Sequence, residues 1–212
     1  MNIKNTTKSL VTATAKEVAS HLIGGTFLVS LIEEMQNGIY KDKLECWKDG
    51  VEQRLDNLED DVKKGLANND IFSSVLLISG QMALKTNKDK SVLLANAVAN
   101  AATTQLSEER IVILLNCIER YTLQHIRLLR FLHNPLDYNP SESLASSPMS
   151  VYHKCCPDTD KDLDRIIAGD LYADGMIDTD SLNTTMTWQG CIAKRTTQLG
   201  DEMISFFGIE KS

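Results

Sequence analysis

Apolar residues recur every three or four positions along most of this chain, and this spacing places them on one face of an α-helix. The longest such stripe separates its apolar members by mostly charged residues: Leu44, Trp47, Val51, Leu55, Leu58, Val62 and Leu66. It predicts one amphipathic helix of roughly six turns. Such a stripe must be covered, either by helices of the same domain or by a coiled-coil partner. Four of its members form a candidate interaction surface: Trp47, Val51, Leu55 and Leu58.

Similar spacing predicts further helices on both sides of this stripe. Residues 8–23 and 27–38 suggest two helices before it, separated by Gly24-Gly25. After it, Asn69 or Asp70 can cap another helix. The alanine-rich segment 95–102 predicts a central core helix, because small side chains let two helices approach closely. We therefore predict a mainly α fold with an N-terminal helical bundle over residues 1–134.

The composition of the sequence changes after residue 134. All four prolines fall between residues 135 and 157, which predicts a loop or linker over 135–156. In the region 157–212, the spacing places five apolar residues on one helical face: Leu163, Ile166, Ile167, Leu171 and Tyr172. Gly175 stands where a helix would end. The segments 184–188 and 191–195 predict a β-hairpin, and Thr196 or Thr197 caps a last helix.

This order of helix, glycine, hairpin and helix resembles the end of winged-helix domains. The resemblance rests on Leu171 to Ile177 and on Thr196 to Gly200, and with the helix 122–133 as first element it covers residues 122–210. It implies a small α+β winged-helix-like C-terminal region. The chain also resembles uncharacterised bacterial helical proteins in the parts 70–100 and 122–135, and such proteins often travel with mobile elements.

Charge argues against the DNA-binding role that a winged helix first suggests. The chain has a net charge of −7, and the helix that would enter the major groove is dominated by aspartates. Coulomb repulsion would act there at contact range. We therefore regard the acidic region 158–180 as a second candidate interaction surface, represented by Asp160, Asp164 and Asp174.

Short patterns suggest two kinds of metal site, but in each the required residues are missing or poorly spaced. Asp158, Asp160 and Asp162 match the start of a calcium loop, but the glycine and glutamate that such a loop requires are missing. Adjacent Cys155 and Cys156 suit a tetrahedral zinc site poorly. No nucleophile elbow, phosphate-binding glycine loop or zinc-helix motif occurs. We predict no catalytic residue, cofactor, metal or small-molecule ligand.

The remaining features bear on location and role. An odd number of cysteines, five, and a polar N-terminus without an apolar signal region favour the cytoplasm. We predict a non-enzymatic protein-interaction or scaffold protein that binds another protein or itself as a homodimer. Two alternatives remain open: a winged-helix DNA-binding regulator, and a defence effector that perturbs membranes through the apolar segment 22–32.

Overall fold

The computed structural model describes residues 38–141 and 146–209, which form two compact units divided between Val112 and Ile113. The predicted helices 8–23 and 27–38, like the apolar segment 22–32, lie outside or almost outside these ranges. The described residues contain α-helices and short 3₁₀ turns without a β-strand, so the mainly α prediction is confirmed. The helices are α1 (Gly38–Asp56), α2 (Asp60–Gly65), α3 (Asp70–Lys85), α4 (Lys88–Ala101), α5 (Glu108–Arg120), α6 (Leu123–His133), α7 (Pro148–Cys155), α8 (Lys161–Ala173), α9 (Trp188–Cys191) and α10 (Gln198–Phe207).

The first unit has its core where α1, α3 and α4 pack against one another. Small residues allow the helices to approach: a Cβ added at Gly50 of α1 would lie 3.2 Å from the Cβ of Ala95 on α4. A Cβ added at Gly80 of α3 would lie 3.2 Å from the ring of Trp47 on α1. The alanine-rich segment lies in α4 and its C-cap, where Ala95, Ala97 and Ala101 are buried and Ala99 and Ala102 are partly buried, so α4 is a core helix as predicted.

The prediction of one continuous helix through residues 44–66 is wrong. α1 ends at Asp56, and α2 begins at Asp60 after an extended Glu59. The side-chain amide of Asn57 donates to the carbonyl of Gln53, and the backbone N–H groups of residues 57 and 58 bond three residues back. Aspartates 60 and 61 then favour a new helix start, because carboxylates stabilise a helix N-terminus. Local polar chemistry therefore interrupts an otherwise regular apolar stripe.

The second unit is built around α6, against which α8 and α10 pack. Thr122 caps α6 as predicted: its side chain accepts from the backbone N–H of His125, whose Nδ1 accepts in return from the N–H of Thr122. All apolar residues of α6 except Leu123 are buried, including Leu128, Leu129 and Phe131. The ring of Tyr152 on α7 lies 5.2 Å from that of Phe131.

The structure differs from the sequence predictions at two places around this core. The segment predicted as a linker, 135–156, contains α7, which Ser147 caps and which Pro148 begins in the position where proline fits a helix. The predicted hairpin is absent from the described residues. Thr187 instead caps the short helix α9 by accepting from the N–H of Gly190, and two isolated antiparallel bridges, Ser146–Met186 and Ile177–Thr196, replace a ladder.

The junction between α8 and α10 depends on two glycines. Gly175 ends α8 with a φ of 73°, a conformation that favours glycine. Thr197 caps α10, and its hydroxyl donates to the carbonyl of Gly175 while its N–H bonds the carbonyl of Met176 at 3.0 Å. A Cβ at Gly200 would lie 2.1 Å from the carbonyl oxygen of Met176, so this close approach requires glycine.

Candidate functional site

The predicted surface on the 44–66 stripe is divided between core and partly buried positions. Trp47 and Val51 are only 4% and 5% exposed and belong to the core of the first unit. Leu55 and Leu58 are partly buried. These four residues therefore do not form a common exposed patch in the described structure.

The three aspartates proposed as a surface have different environments. Asp160 is exposed and caps α8, accepting from two backbone N–H groups of its first turn. Asp164 is inaccessible to solvent: His153 Nε2 lies 2.7 Å from one carboxylate oxygen, and Gln124 Nε2 donates to the other at 2.8 Å. A buried carboxylate needs such partners, so Asp164 is an internal anchor of α8 and not a docking residue.

Asp174 anchors the other end of α8. Arg120 Nη2 lies 2.9 Å from both of its carboxylate oxygens, and the hydroxyl of Tyr121 donates to Oδ2 at 2.8 Å. Burial is the main cause that raises the pKa of Tyr121, and the nearby thiol of Cys117 and carboxylate of Asp174 raise it further. The hydroxyl therefore stays protonated and acts as a hydrogen-bond donor.

Every histidine in the described residues approaches an aspartate of another helix. In addition to the His153–Asp164 pair, His125 Nε2 lies 3.3 Å from Asp170, and His133 Nδ1 lies 3.0 Å from Asp201. The partners are separated by 11, 45 and 68 residues, so no local motif could reveal them. These contacts tie α8 to α6 and α7, and α10 to α6, which fixes the position of α8.

The outward side of α8 carries exposed apolar residues. Leu163, Ile166 and Tyr172 are 46%, 61% and 49% exposed, whereas Ile167 and Leu171 are buried. The five residues that the spacing places on one helical face therefore divide between the exposed and the buried side of α8. Residues three apart are neighbours on a helix surface, so Leu163, Ile166, Gly169 and Tyr172 form a ridge that crosses the exposed side of α8 obliquely, with Leu163 and Tyr172 at its opposite edges. We call these four residues the α8 outer face.

Gly169 is the unusual member of the α8 outer face. Glycine inside a helix costs roughly 0.5–1 kcal/mol relative to alanine. A Cβ added at Gly169 would meet nothing within 4 Å, so packing within the described structure gives no reason for glycine here. A binding partner that approaches the helix backbone closely would give a reason for glycine at this position.

Charges around the α8 outer face are mostly negative. Exposed carboxylates lie in the turn before α8 and along it: Asp158, Asp160, Asp162 and Asp170. Only Lys161 and Arg165 on this helix carry exposed positive charge. The exposed apolar ridge is therefore set in an acidic surround.

Other kinds of site receive no support from residues 38–141 and 146–209. No group of three histidine, cysteine or carboxylate side chains in these ranges could hold a metal ion. Burial raises the pKa of the Cys155, Cys156 and Cys191 thiols, which disfavours the thiolate. No helix within these ranges is long and apolar enough to cross a membrane.

Comparison with known proteins gives no family for this chain. No protein-family model, no curated protein and no solved structure matches it.

Proposed function

We propose that this chain is a non-enzymatic protein-interaction protein and that the α8 outer face is its docking surface. The observation that carries the proposal is the 61% exposure of Ile166, with Leu163 one turn earlier, on a helix whose other side is anchored in the core. Single exposed apolar residues are ordinary, but an apolar ridge with a central glycine suits contact with another molecule.

The partner that fits this surface is an amphipathic protein segment with basic side chains. Its apolar residues would cover Leu163 and Ile166, and its lysines or arginines would face the surrounding aspartates, among them Asp162 and Asp170. A second copy of this chain would bring the same carboxylates face to face. The phosphates of duplex DNA would be repelled by these carboxylates, so the acidic surround also disfavours the alternative of a DNA-binding regulator.

We further propose that the C-terminal region is winged-helix-like in the order of its parts. Support comes from the end of α8 at Gly175, the bridge Ile177–Thr196 and the threonine-capped start of α10 with Gly200. In this arrangement α8 takes the place of the helix that enters DNA in DNA-binding members. Its apolar and acidic surface suggests that a protein occupies that place here.

A binding experiment with a synthetic peptide tests the docking proposal. The probe is a fluorescent amphipathic helix with leucines on one face and lysines on the other, and fluorescence anisotropy measures its affinity. Ile166→Ser keeps the charge of the chain and should weaken binding at least about tenfold, because burying an isoleucine contributes roughly 1.5–3 kcal/mol. The matched control is Val92→Ser on α4, where the valine is also exposed.

A second peptide and a second variant distinguish docking on the α8 outer face from non-specific attraction. A peptide with glutamate in place of lysine should not bind. Gly169→Ala should weaken binding although it favours the helix, because the methyl group occupies the space left open at that position. Equal affinity of wild type and Ile166→Ser would overturn the proposal. Sedimentation that shows a dimer lost in Ile166→Ser would make a second copy the occupant and overturn the basic partner.

A further inference from the structure

A cleft of about 270 Å³ lies away from the α8 outer face, between the 3₁₀ turn Pro135–Tyr138 and α7. Its wall contains the ring of Tyr138, Ser141 and the ammonium-bearing Lys154. Asn139 gives the turn its shape in the left-handed conformation, with a φ of 47°. The cleft is large enough for a small polar group and contains several hydrogen-bond donors.

The side chains of three cations on α6 and α7 have no carboxylate partner among the described residues. Lys154 lines the cleft, and Arg127 and Arg130 lie three residues apart on α6; none of these three side chains forms an ion pair or hydrogen bond within the described ranges. Burial raises the pKa of the Tyr138 hydroxyl, and the charges of Arg130 and Arg127 oppose that rise, so both guanidinium groups act on this hydroxyl. The nearest carboxylate on that turn, Asp137, accepts a hydrogen bond from Asn134.

A buried polar atom without a partner lies in the same neighbourhood. The hydroxyl of Tyr152 is shielded from solvent and has no hydrogen-bond partner among the described residues. Burial raises the pKa of this hydroxyl most, the carboxylate of Asp164 raises it further, and the charge of Arg127 opposes the rise. The region between α6 and α7 thus has a hydroxyl donor without a partner in the described ranges and an arginine close to it, in a unit that is rich in aspartate.

We propose that this cleft binds the phosphoryl group of a small molecule or of a phosphorylated side chain. Lys154 and the Tyr138 hydroxyl would contact the oxygens from the cleft wall, and Arg130 and Arg127 would supply the countercharge. Three cations that have no carboxylate partner in residues 38–141 and 146–209, together with hydroxyl donors and an open cleft, match the chemistry of an oxyanion better than that of a cation or an apolar ligand.

Nuclear magnetic resonance of the full chain tests this site with inorganic phosphate as the probe. Phosphate should shift the Tyr138 ring and Lys154 side-chain signals in a saturable way, and sodium chloride at equal ionic strength should not. Arg130→Gln and Lys154→Gln should each weaken the apparent affinity about fivefold, the effect of one charge at contact distance in water. Lys88→Gln, an exposed lysine on α4, makes the same charge change and should have no effect.

Two further ligands distinguish the sources of the phosphoryl group. A phosphoserine peptide that binds more tightly than inorganic phosphate would indicate a modified protein as the source, and adenosine monophosphate that binds more tightly would indicate a nucleotide. Circular dichroism verifies that each variant is folded. Signals that respond equally to phosphate and chloride, or an affinity unchanged in both variants, would overturn the proposal. The docking proposal concerns the α8 outer face, so the docking proposal and the phosphoryl proposal can each fail without the other.

Discussion

Gly200 and Gly169 offer the sharpest test of how the second unit is built. Both glycines lie in helices, and both can be changed to alanine, which is the better helix former by roughly 0.5–1 kcal/mol. Helix propensity alone would make both substitutions stabilising. The structure predicts opposite signs, because the space around the two positions differs.

At Gly200 the new methyl group has no room. It would lie 2.1 Å from the carbonyl oxygen of Met176, and this neighbour is backbone that cannot turn away. α10 would have to withdraw, which breaks the two hydrogen bonds that Thr197 makes to the carbonyls of residues 175 and 176. At about 1 kcal/mol for each bond, and with the buried residues of α10 loosened as well, we expect a loss of about 2–4 kcal/mol.

At Gly169 nothing lies within 4 Å of the added methyl group, so the gain in helix propensity should appear undiminished. Urea denaturation followed by circular dichroism measures both free energies of unfolding. Gly169→Ala should raise the midpoint and Gly200→Ala should lower it. If Gly200→Ala proved as stable as wild type, the close packing of α10 against Met176 would be refuted.

Two further predictions concern the carboxylates of the second unit. His153→Ala should lower the free energy of unfolding by about 3 kcal/mol, because it removes the ring nitrogen that lies 2.7 Å from the buried carboxylate of Asp164. Asp170→Asn changes a half-exposed pair and should cost less than about 1 kcal/mol. Equal losses in a urea titration would contradict this ranking. Although burial raises the pKa of Asp201, hydrogen bonds such as that from Lys194 outweigh it and hold the pKa below its ordinary value. This carboxylate therefore stabilises the fold above the unfolded pKa of about 4, and the contribution is lost as the pH falls through the folded pKa. Asp201→Asn should make the free energy of unfolding decline less steeply below about pH 4. An unchanged pH dependence in this variant would contradict the stabilising role of Asp201.

The parts of the fold that sequence reasoning predicted are those set by local chemistry. The alanine-rich core helix, the cap at Thr122 and the helix end at Gly175 all follow from the properties of the residues present. The break at Asn57 was missed because the apolar stripe continues through it. The cap at Thr187 was missed because β-branched residues suggested a strand, although its spacing to Gly190 is that of a helix start.

The candidate site depended on contacts that are distant in sequence. The spacing places five apolar residues of α8 on one face, but the core contains the carboxylate of Asp164 and leaves Leu163 and Ile166 exposed. It can do so because Gln124 and His153 bond that carboxylate from 40 and 11 residues away. Only the three-dimensional arrangement of these partners turns the apolar residues outward.

The docking surface itself can be mapped most directly by recording backbone amide signals of the full chain while the leucine-lysine peptide is added. The largest changes should fall on Leu163, Ile166 and Gly169, with smaller ones at the neighbouring Asp162 and Asp170. Changes concentrated elsewhere, or no saturable change on α8, would contradict the proposal that its outer face receives a protein partner.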